Sequence, residues 1–241
     1  EAHPDHFFLA PYLVGNKLGP VPSENFPFDI GYAYHFDSNL LGIFLAKVAT
    51  RNGIVHKQGT VSEVVINERG EIASINTEEN ENIEGDIFVD CTGFRSQLLQ
   101  QTLKVPFVNF SENLFNDAAV VFPTEQSQEF APQTVSTALK NGWAWSIPLT
   151  NRVGNGYVYS SSFCNADEAE TEFRKHLGLL ESPIEARHLK MKVGRVEQHW
   201  VKNCVAIGLS QGFIEPLEAT ALDLVKQSID SFIESYSSAG F

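Results

Sequence analysis

Apolar residues recur at helical spacing in two long stretches. Leu40, Leu41, Phe44, Leu45 and Val48 form a stripe that predicts a helix over residues 38–52, with Asp37 as N-cap and Gly53 as its stop. Leu222, Val225, Ile229 and Phe232 give the same pattern in a closing helix over 222–236. An acidic helix over 167–177 turns Ala169, Phe173 and Leu177 inward. Elsewhere the pattern is that of strands. Ile54-Val55, Val61–Ile66 and Glu71–Asn76 read as strands, the last two joined as a hairpin by the turn Asn67-Glu-Arg-Gly70. Asp86–Asp90 and Cys204–Gly208 read as short buried strands, and Lys190–Val196 as one more. Residues 1–30 show no period and read as an irregular arm.

Helix, hairpin and buried strand in series predict a mixed α/β fold with a small antiparallel flap. The character changes over 106–164, where Pro106, Pro123, Pro132 and Pro148 punctuate runs such as Ala118–Phe122 and Gly156–Ser161. That stretch reads as a second, strand-rich sheet over a pocket. The chain therefore divides into segments 1–105, 106–190 and 191–241, the last returning to the first.

Charge narrows the partners. Lys and Arg total 17 against 30 Asp and Glu, a formal charge of −13, which repels phosphate backbones and anionic lipid. Nucleic acid and membrane surfaces are poor partners, and the apolar run at Leu40–Ala46 falls far short of the roughly 20 residues needed to span a bilayer. Cys91, Cys164 and Cys204 have no metal-ligand spacing and form no disulfide framework. His35, His56, His188 and His199 share no convergent spacing, so no metal is expected. A reducing, cytoplasmic location fits this cysteine usage. The opening Glu-Ala-His-Pro has neither methionine nor a signal-peptide pattern, which suggests an internal piece of something longer.

The richest candidate chemistry lies near the C-terminus. The strand Cys204–Gly208 runs into Leu209–Pro216 and then a helix start at Leu217-Glu-Ala-Thr220, whose free amides and positive dipole end suit an anion or an electron-rich cofactor edge. Glu218 puts a carboxylate on the first turn. The strand 86–90 also ends in a glycine loop, Asp90-Cys-Thr-Gly-Phe-Arg95, with Gly93 allowing close approach and Arg95 able to hold an anion. Ligands of open α/β sheets bind beyond such strand ends, and two of them can converge on one cofactor. Trp143 and Trp145, two residues apart in Trp143-Ala-Trp-Ser-Ile-Pro148, place both indoles on one face. Taken alone, Glu218 is also an ordinary dipole-complementing residue, and the two indoles could simply fill a core.

From about Tyr34 onward the chain resembles the flavin-dependent tryptophan halogenases. The matching pieces are Tyr34-His-Phe-Asp37, Asp90–Arg95, Ser136-Thr-Ala138, Gly142–Pro148, Gly156–Tyr159, Val193-Gly-Arg195, Asn203–Ser210 and Phe213–Thr220. W-x-W-x-I-P is the specific one. The resemblance implies a Rossmann-like FAD-binding flavoprotein fold of the aromatic hydroxylase type, in which 1–105 and 191–241 belong to the FAD-binding domain and 106–190 to a β-rich substrate side. It implies that reduced FAD, oxygen and chloride or bromide yield hypohalous acid, which reaches an electron-rich ring. Glu218 matches the family's active-site glutamate, and the backbone of Thr220 and Ala221 its halide site. Leu209 and Leu222 flank the flavin, with Gly93 and Gly208 in the same cleft. Val64 falls at the adenine end, and Trp143 and Trp145 shape the flavin pocket. Partners implied are a small aromatic substrate and a separate flavin reductase that supplies reduced FAD. Oligomeric state stays open, a homodimer included.

The pattern is not followed throughout. Ala219 stands where tryptophan-specific members carry serine, and Ala221 where they carry glycine. No G-x-G-x-x-G occurs, Gly154-Asn-Gly156 being incomplete. The family's phosphate-binding βαβ unit and catalytic lysine fall ahead of this sequence, so the 241 residues by themselves are expected to bind FAD weakly or not at all and not to catalyse. Two other readings stand beside halogenation: a flavin-dependent aromatic hydroxylase of the same architecture, and a non-catalytic flavin-binding relative.

Overall fold

Apolar runs within residues 118–159 build most of the largest sheet of this computed structural model, which describes residues 3–19, 21, 23–27, 31–126 and 131–238. In chain order the helices are α1 (Leu9–Gly15), α2 (Ser38–Arg51), α3 (Ala166–His176) and α4 (Thr220–Ser238). The strands are β1 (Val61–Ile66), β2 (Ile72–Thr77), β3 (Asn82–Glu84), β4 (Phe88–Asp90), β5 (Phe107–Asn109), β6 (Ala118–Thr124) and β7 (Val135–Leu139). They continue with β8 (Gly142–Pro148), β9 (Val153–Tyr159), β10 (Arg187–Lys190), β11 (Gly194–Val196), β12 (Trp200–Val201), β13 (Cys204–Ala206) and β14 (Gly212–Phe213). The chain forms two compact units, residues 1–56 with 118–189, and residues 57–117 with 190–241, which divides the expected segment 1–105 between them.

In the first unit the sheet order is β10-β6-β9-β8-β7. One face carries Ala118, Val120, Phe122, Ala144, Tyr157 and Tyr159, which close over Ala169 and Phe173 of α3. α3 starts where it does because Asn165 and Glu168 cap each other reciprocally, Glu168 N donating to Asn165 Oδ1 (3.0 Å) and Asn165 N to Glu168 Oε2 (3.1 Å). Tyr157 Oη donates to Glu172 Oε2 (3.0 Å), which docks α3 on the sheet, and burial raises that phenol's pKa. Asp37 caps α2 as expected, accepting from Asn39 N and Leu40 N, and Arg152 bonds its other oxygen at 2.6 Å. The apolar stripe of α2 is nonetheless exposed, Leu40 at 61 % and Phe44 at 59 %, so the period foretold the helix but not its burial. The expected irregular arm contains a 3-10 turn at Pro4–Phe7 and the short helix α1, while residues 1, 2, 20, 22 and 28–30 lie outside the described residues.

The second unit holds three small sheets, β1-β2-β3, β14-β11-β5 and β12-β13-β4. The hairpin β1-β2 is as read from the sequence, with Asn67 Oδ1 accepting from Arg69 N and Glu71 N across the turn. Ile54-Val55 is not a strand, and the single strand expected over 190–196 is two, β10 and β11, separated by residues 191–193. Gly194, at φ 143°, allows the split, since a Cβ there would overlap Val108 O. The decisive pairing is β4 with β13. They run parallel in the register Phe88↔Cys204, Val89↔Val205, Ala206↔Asp90, so both carboxyl ends open at the same edge. Asn203 fastens the hairpin to them: its side chain accepts from Ile72 N (2.9 Å) and donates to Ile72 O (2.8 Å), and its carbonyl accepts from Phe88 N (2.8 Å).

Fully buried Asp90 closes β4. Its carboxylate accepts from Thr92 N (3.0 Å), Thr92 Oγ1 (2.6 Å), Ser96 Oγ (3.4 Å), Leu98 N (3.0 Å) and Leu99 N (2.9 Å), the last two capping a π-helical turn at Gln97–Thr102. Burial alone would raise its pKa, but the Thr92 hydroxyl and the backbone amides of Leu99 and Thr92 outweigh it and hold the carboxyl below its usual value. Asp90→Asn should cost about 2–3 kcal/mol at neutral pH, because one buried oxygen becomes a donor facing donors. A depressed native pKa stabilises above the unfolded value of about 3.9 and the gain fades as pH falls through the native value. The gap between wild-type and variant denaturation midpoints should therefore be widest at pH 7 and shrink below about pH 4; a gap independent of pH would contradict this account.

Candidate functional site

Two glycine turns meet where β4 and β13 end. Gly93 (φ 70°) and Gly208 (φ 69°) both adopt the left-handed conformation that a side chain resists, so each strand can turn sharply at the shared edge. Ser210 Oγ donates to Gly93 O (3.2 Å) and helps hold down the Asp90 pKa, while Phe94 and Phe213 meet edge to face with ring centres 5.7 Å apart. The convergence expected from the sequence is thus present in one unit.

Beside these turns lies a cavity of about 370 Å³. Gly208, Leu209, Phe213, Ala221, Leu222 and Val225 give it an apolar wall, and Arg195, His199 and Gln211 supply its polar groups. Gly194 and Gly212 form part of the wall by bare backbone; a Cβ on Gly212 would lie 2.6 Å from Gly194 O. A space of this size with mostly apolar walls and few polar groups has room for an aromatic ring system. The expected residues Gly208, Leu209, Ala221 and Leu222 therefore share one cavity. Gly93 is bonded to Ser210 and is not among the cavity residues, nor is Val64, which packs against the core around Ile72 and Phe88. Arg95 is exposed.

The turn into α4 has an alternating backbone. Ala219 sits at φ 54° and Thr220 at φ −55°, ψ −25°, a left-then-right alternation of the kind called a nest, whose Ala219 N–H is taken by Pro216 O (3.2 Å). This nest opens a helix of 19 residues, whose positive dipole end reinforces it. Thr220 and Ala221 are the first two residues of that helix. Glu218 lies on the 3-10 turn Leu217–Ala219; its side chain falls outside the described residues.

The family model for tryptophan halogenases matches residues 13–241. The chain belongs to the tryptophan halogenase family. It is 44% identical to tryptophan 6-halogenase SttH of Streptomyces toxytricini over 208 residues, covering 85% of this chain and 40% of that protein. It is 36% identical over 233 residues to tryptophan 7-halogenase KtzQ of Kutzneria sp., covering 95% of this chain and 44% of that one. Among solved structures it matches BrvH, a flavin-dependent halogenase from Brevundimonas sp., with a TM-score of 0.88 at 34% identity over 95% of this chain and 48% of that chain. The mixed α/β fold is that of flavin-dependent halogenases over the matched length. The chain spans less than half the length of these relatives.

The family's W-x-W-x-I-P string is β8 of the first unit. Trp143 and Trp145 are half-buried on one face with ring centres 5.9 Å apart, opposite the face on which Ala144 enters the core. Neighbouring strands put small residues beside them: Ala138 pairs with Trp143, and Ser136 and Gly156 flank Trp145. Those small residues belong to motif pieces that looked independent in sequence. His35 fixes the end of this strand, its Nδ1 donating to Pro148 O (3.0 Å) and its Nε2 taking Thr134 Oγ1 (3.1 Å). Histidine 35, read as ordinary, is a clamp between two motifs. Missed altogether were Asn203, Gln211 and Ser228, each defined by a contact that sequence spacing does not display.

No group of three His, Cys, Asp or Glu among the described residues is arranged to hold a metal, and no described helix is long and apolar enough to cross a membrane. All three cysteines are free thiols; burial and the neighbouring Asp90 push Cys204 up to about 12, which leaves it inert.

A methyl on Gly156 would overlap the six-membered ring of Trp145. Gly156→Ala should displace that indole and cost about 1–3 kcal/mol from overpacking. A shifted tryptophan emission and a lower unfolding midpoint, with β4 and β13 unaffected by hydrogen exchange, is the expected outcome; unchanged emission would refute the packing.

Proposed function

We propose that the chain is part of an FADH2-dependent halogenase that uses oxygen and chloride or bromide to halogenate an indole-type aromatic. The observation that carries this reading is the conjunction of the Ala219–Thr220 backbone nest with the apolar cavity beside Gly208 and Leu222. Relatives named as tryptophan halogenases support the choice of ring. In this reading reduced FAD, when bound, supplies the two electrons for oxygen activation. Leu209 and Leu222 flank its ring, Gly93 and Gly208 let the backbone approach, and Val64 lies toward its adenine end. The amides of Thr220 and Ala221 hold the halide against it.

The ring carbon gains halogen and loses a proton, and Glu218 positions the oxidant or accepts that proton. Trp143 and Trp145 shape the pocket without reacting. One reduced flavin, one oxygen, one halide, one proton and the arene give oxidised flavin, the aryl halide and two waters. A separate reductase supplies the reduced flavin, and the free thiols fit a cytoplasmic setting. A non-catalytic relative remains the second reading, favoured by the methyl groups of Ala219 and Ala221 at the nest.

The test is product mass from the protein carrying this sequence, supplied with reduced FAD, bromide and a panel of indoles. A brominated product supports halogenation, a gain of one oxygen assigns a hydroxylase, and no product favours the non-catalytic relative. Glu218→Gln should lower the halogenation rate at least about a hundredfold while leaving flavin affinity unchanged.

A further inference from the structure

Helix α4 carries Thr220 and Ala221 at its start yet has no fully buried residue along its length, so few contacts decide where it sits. One is the approach of Val225, whose Cγ2 lies 3.7 Å from where a Cβ on Gly208 would be. Another is the tilted contact of Phe232 with Trp200, ring centres 5.2 Å apart. The third is polar and runs through Gln211. Its backbone N–H donates to Gly208 O (2.9 Å) and its carbonyl accepts from Val196 N (2.8 Å), which locks it into the turn. Its side chain then reaches both ways. Nε2 donates to His199 Nδ1 (3.0 Å), and Oε1 lies 3.1 Å from Ser228 Oγ on the third turn of α4, whose single hydroxyl proton is shared with Leu224 O (2.7 Å).

The protonation states agree with this bridge. With the Gln211 amide oriented so that its nitrogen faces the ring, His199 Nδ1 is the acceptor and the ring proton sits on Nε2, which is buried without a hydrogen-bond partner. Burial and then the Arg195 charge lower the His199 pKa, so the ring stays neutral and keeps its acceptor lone pair. Arg195 is the charged group acting on it; on α4, Lys226 pairs with Asp230, and Asp223 accepts from Gln227. An orphaned buried N–H has a cost, and it is incurred in a place where a leucine would pack. The arrangement makes sense if the Nδ1 contact is what matters.

Resting on the flavin reading above, we infer that Gln211 is a positioning residue: bridged between His199 and Ser228, it fixes the first turns of α4 against the Gly208–Gly212 turn and so sets the width of the cavity that receives the flavin ring. It touches neither halide nor substrate in this assignment. The side chain works through the helix.

The experiment measures amide-exchange protection over 220–228 and FAD affinity by fluorescence quenching, in the protein carrying this sequence and its Gln211→Leu, Ser228→Ala and Gln211→Glu variants. Gln211→Leu and Ser228→Ala should each lower protection in 220–228 about five- to tenfold, the size of one net hydrogen bond, with β4 and β13 unchanged. Gln211→Leu should weaken FAD binding about tenfold. Gln211→Glu keeps the bridge, because neutral His199 can carry its ring proton on Nδ1 and donate it to one carboxylate oxygen while Ser228 lies beside the other. Its protection and FAD affinity should stay within about twofold of wild type, a rescue by the isosteric variant that loss of the bridge in Gln211→Leu does not show. Wild-type protection in both Gln211→Leu and Ser228→Ala, or loss spread evenly through β4 and β13, overturns the inference, as does lowered protection with unchanged FAD affinity. If the wild-type protein takes no FAD, the flavin reading falls, and the exchange result still decides whether Gln211 positions α4.

Discussion

A single buried carboxylate organises the site. Asp90 ends β4 inside the core and is surrounded by donors from the residues that follow it, so the chain after β4 has nowhere to go but around that charge. An ionised group at zero exposure is tolerable only when its lone pairs are filled, which makes the turn obligatory and not one option among several. Ser210 then adds a bond from the other strand end, to Gly93 O, and contributes to the lowered Asp90 pKa. One charge therefore sets both the turn after β4 and its distance from the turn after β13.

The consequence is a division of rigidity. β4 and β13 pair in parallel, with Cys204 and Ala206 buried among Ile72, Leu98 and Leu99, and Asn203 ties in the hairpin by two bonds to Ile72. The far wall of the cavity is different: α4 is amphipathic, half-exposed and held by edge contacts. A cavity with one fixed wall and one lightly tethered wall can admit a large planar group without unfolding anything, because local opening draws on the elements with least burial. Within α4, Lys226 pairs with Asp230 and Gln227 donates to Asp223, while the polar link to Gln211 gives the helix a directional constraint.

Much of this was legible in the sequence, and the parts that were not share a cause. Asp37, Asn67 and Gly93 act through neighbours one to four residues away, and local rules of capping and turns found all three. Convergence of Asp86–Asp90 with Cys204–Gly208 followed from two apolar runs ending in glycine, a pattern that has meaning only in a parallel sheet. By contrast, His35 acts on a carbonyl 113 residues away, Asn203 on a backbone 131 residues away, and Gln211 on a hydroxyl 17 residues away across a turn. A side chain that completes a distant backbone looks like any polar residue until the fold is known. The stripe on α2 erred the other way, since periodicity records which face is apolar and not what covers it.

Backbone, more than side chains, carries the anion-binding part of the family's loop, and this bears on the two alanines. A nest needs the sign of φ to alternate, and it presents main-chain N–H groups whatever the side chains are. Ala219 meets that demand at φ 54° with a penalty of about 1–2 kcal/mol relative to right-handed backbone, which the surrounding structure must absorb. Its N–H donates to Pro216 O (3.2 Å), closing the 3-10 turn that forces the conformation, and α4 follows at once with Thr220 already helical. Replacing serine and glycine by alanine therefore leaves the donors in place and changes only what surrounds them: one hydroxyl fewer at 219, one methyl more at 221. The second change bears on the cavity, because Ala221 lines it and its Cβ occupies volume beside Leu222. Under the halogenase reading we propose, that methyl group bears on which halide fits, while the donors belong to a strained turn whose backbone the alanines still form.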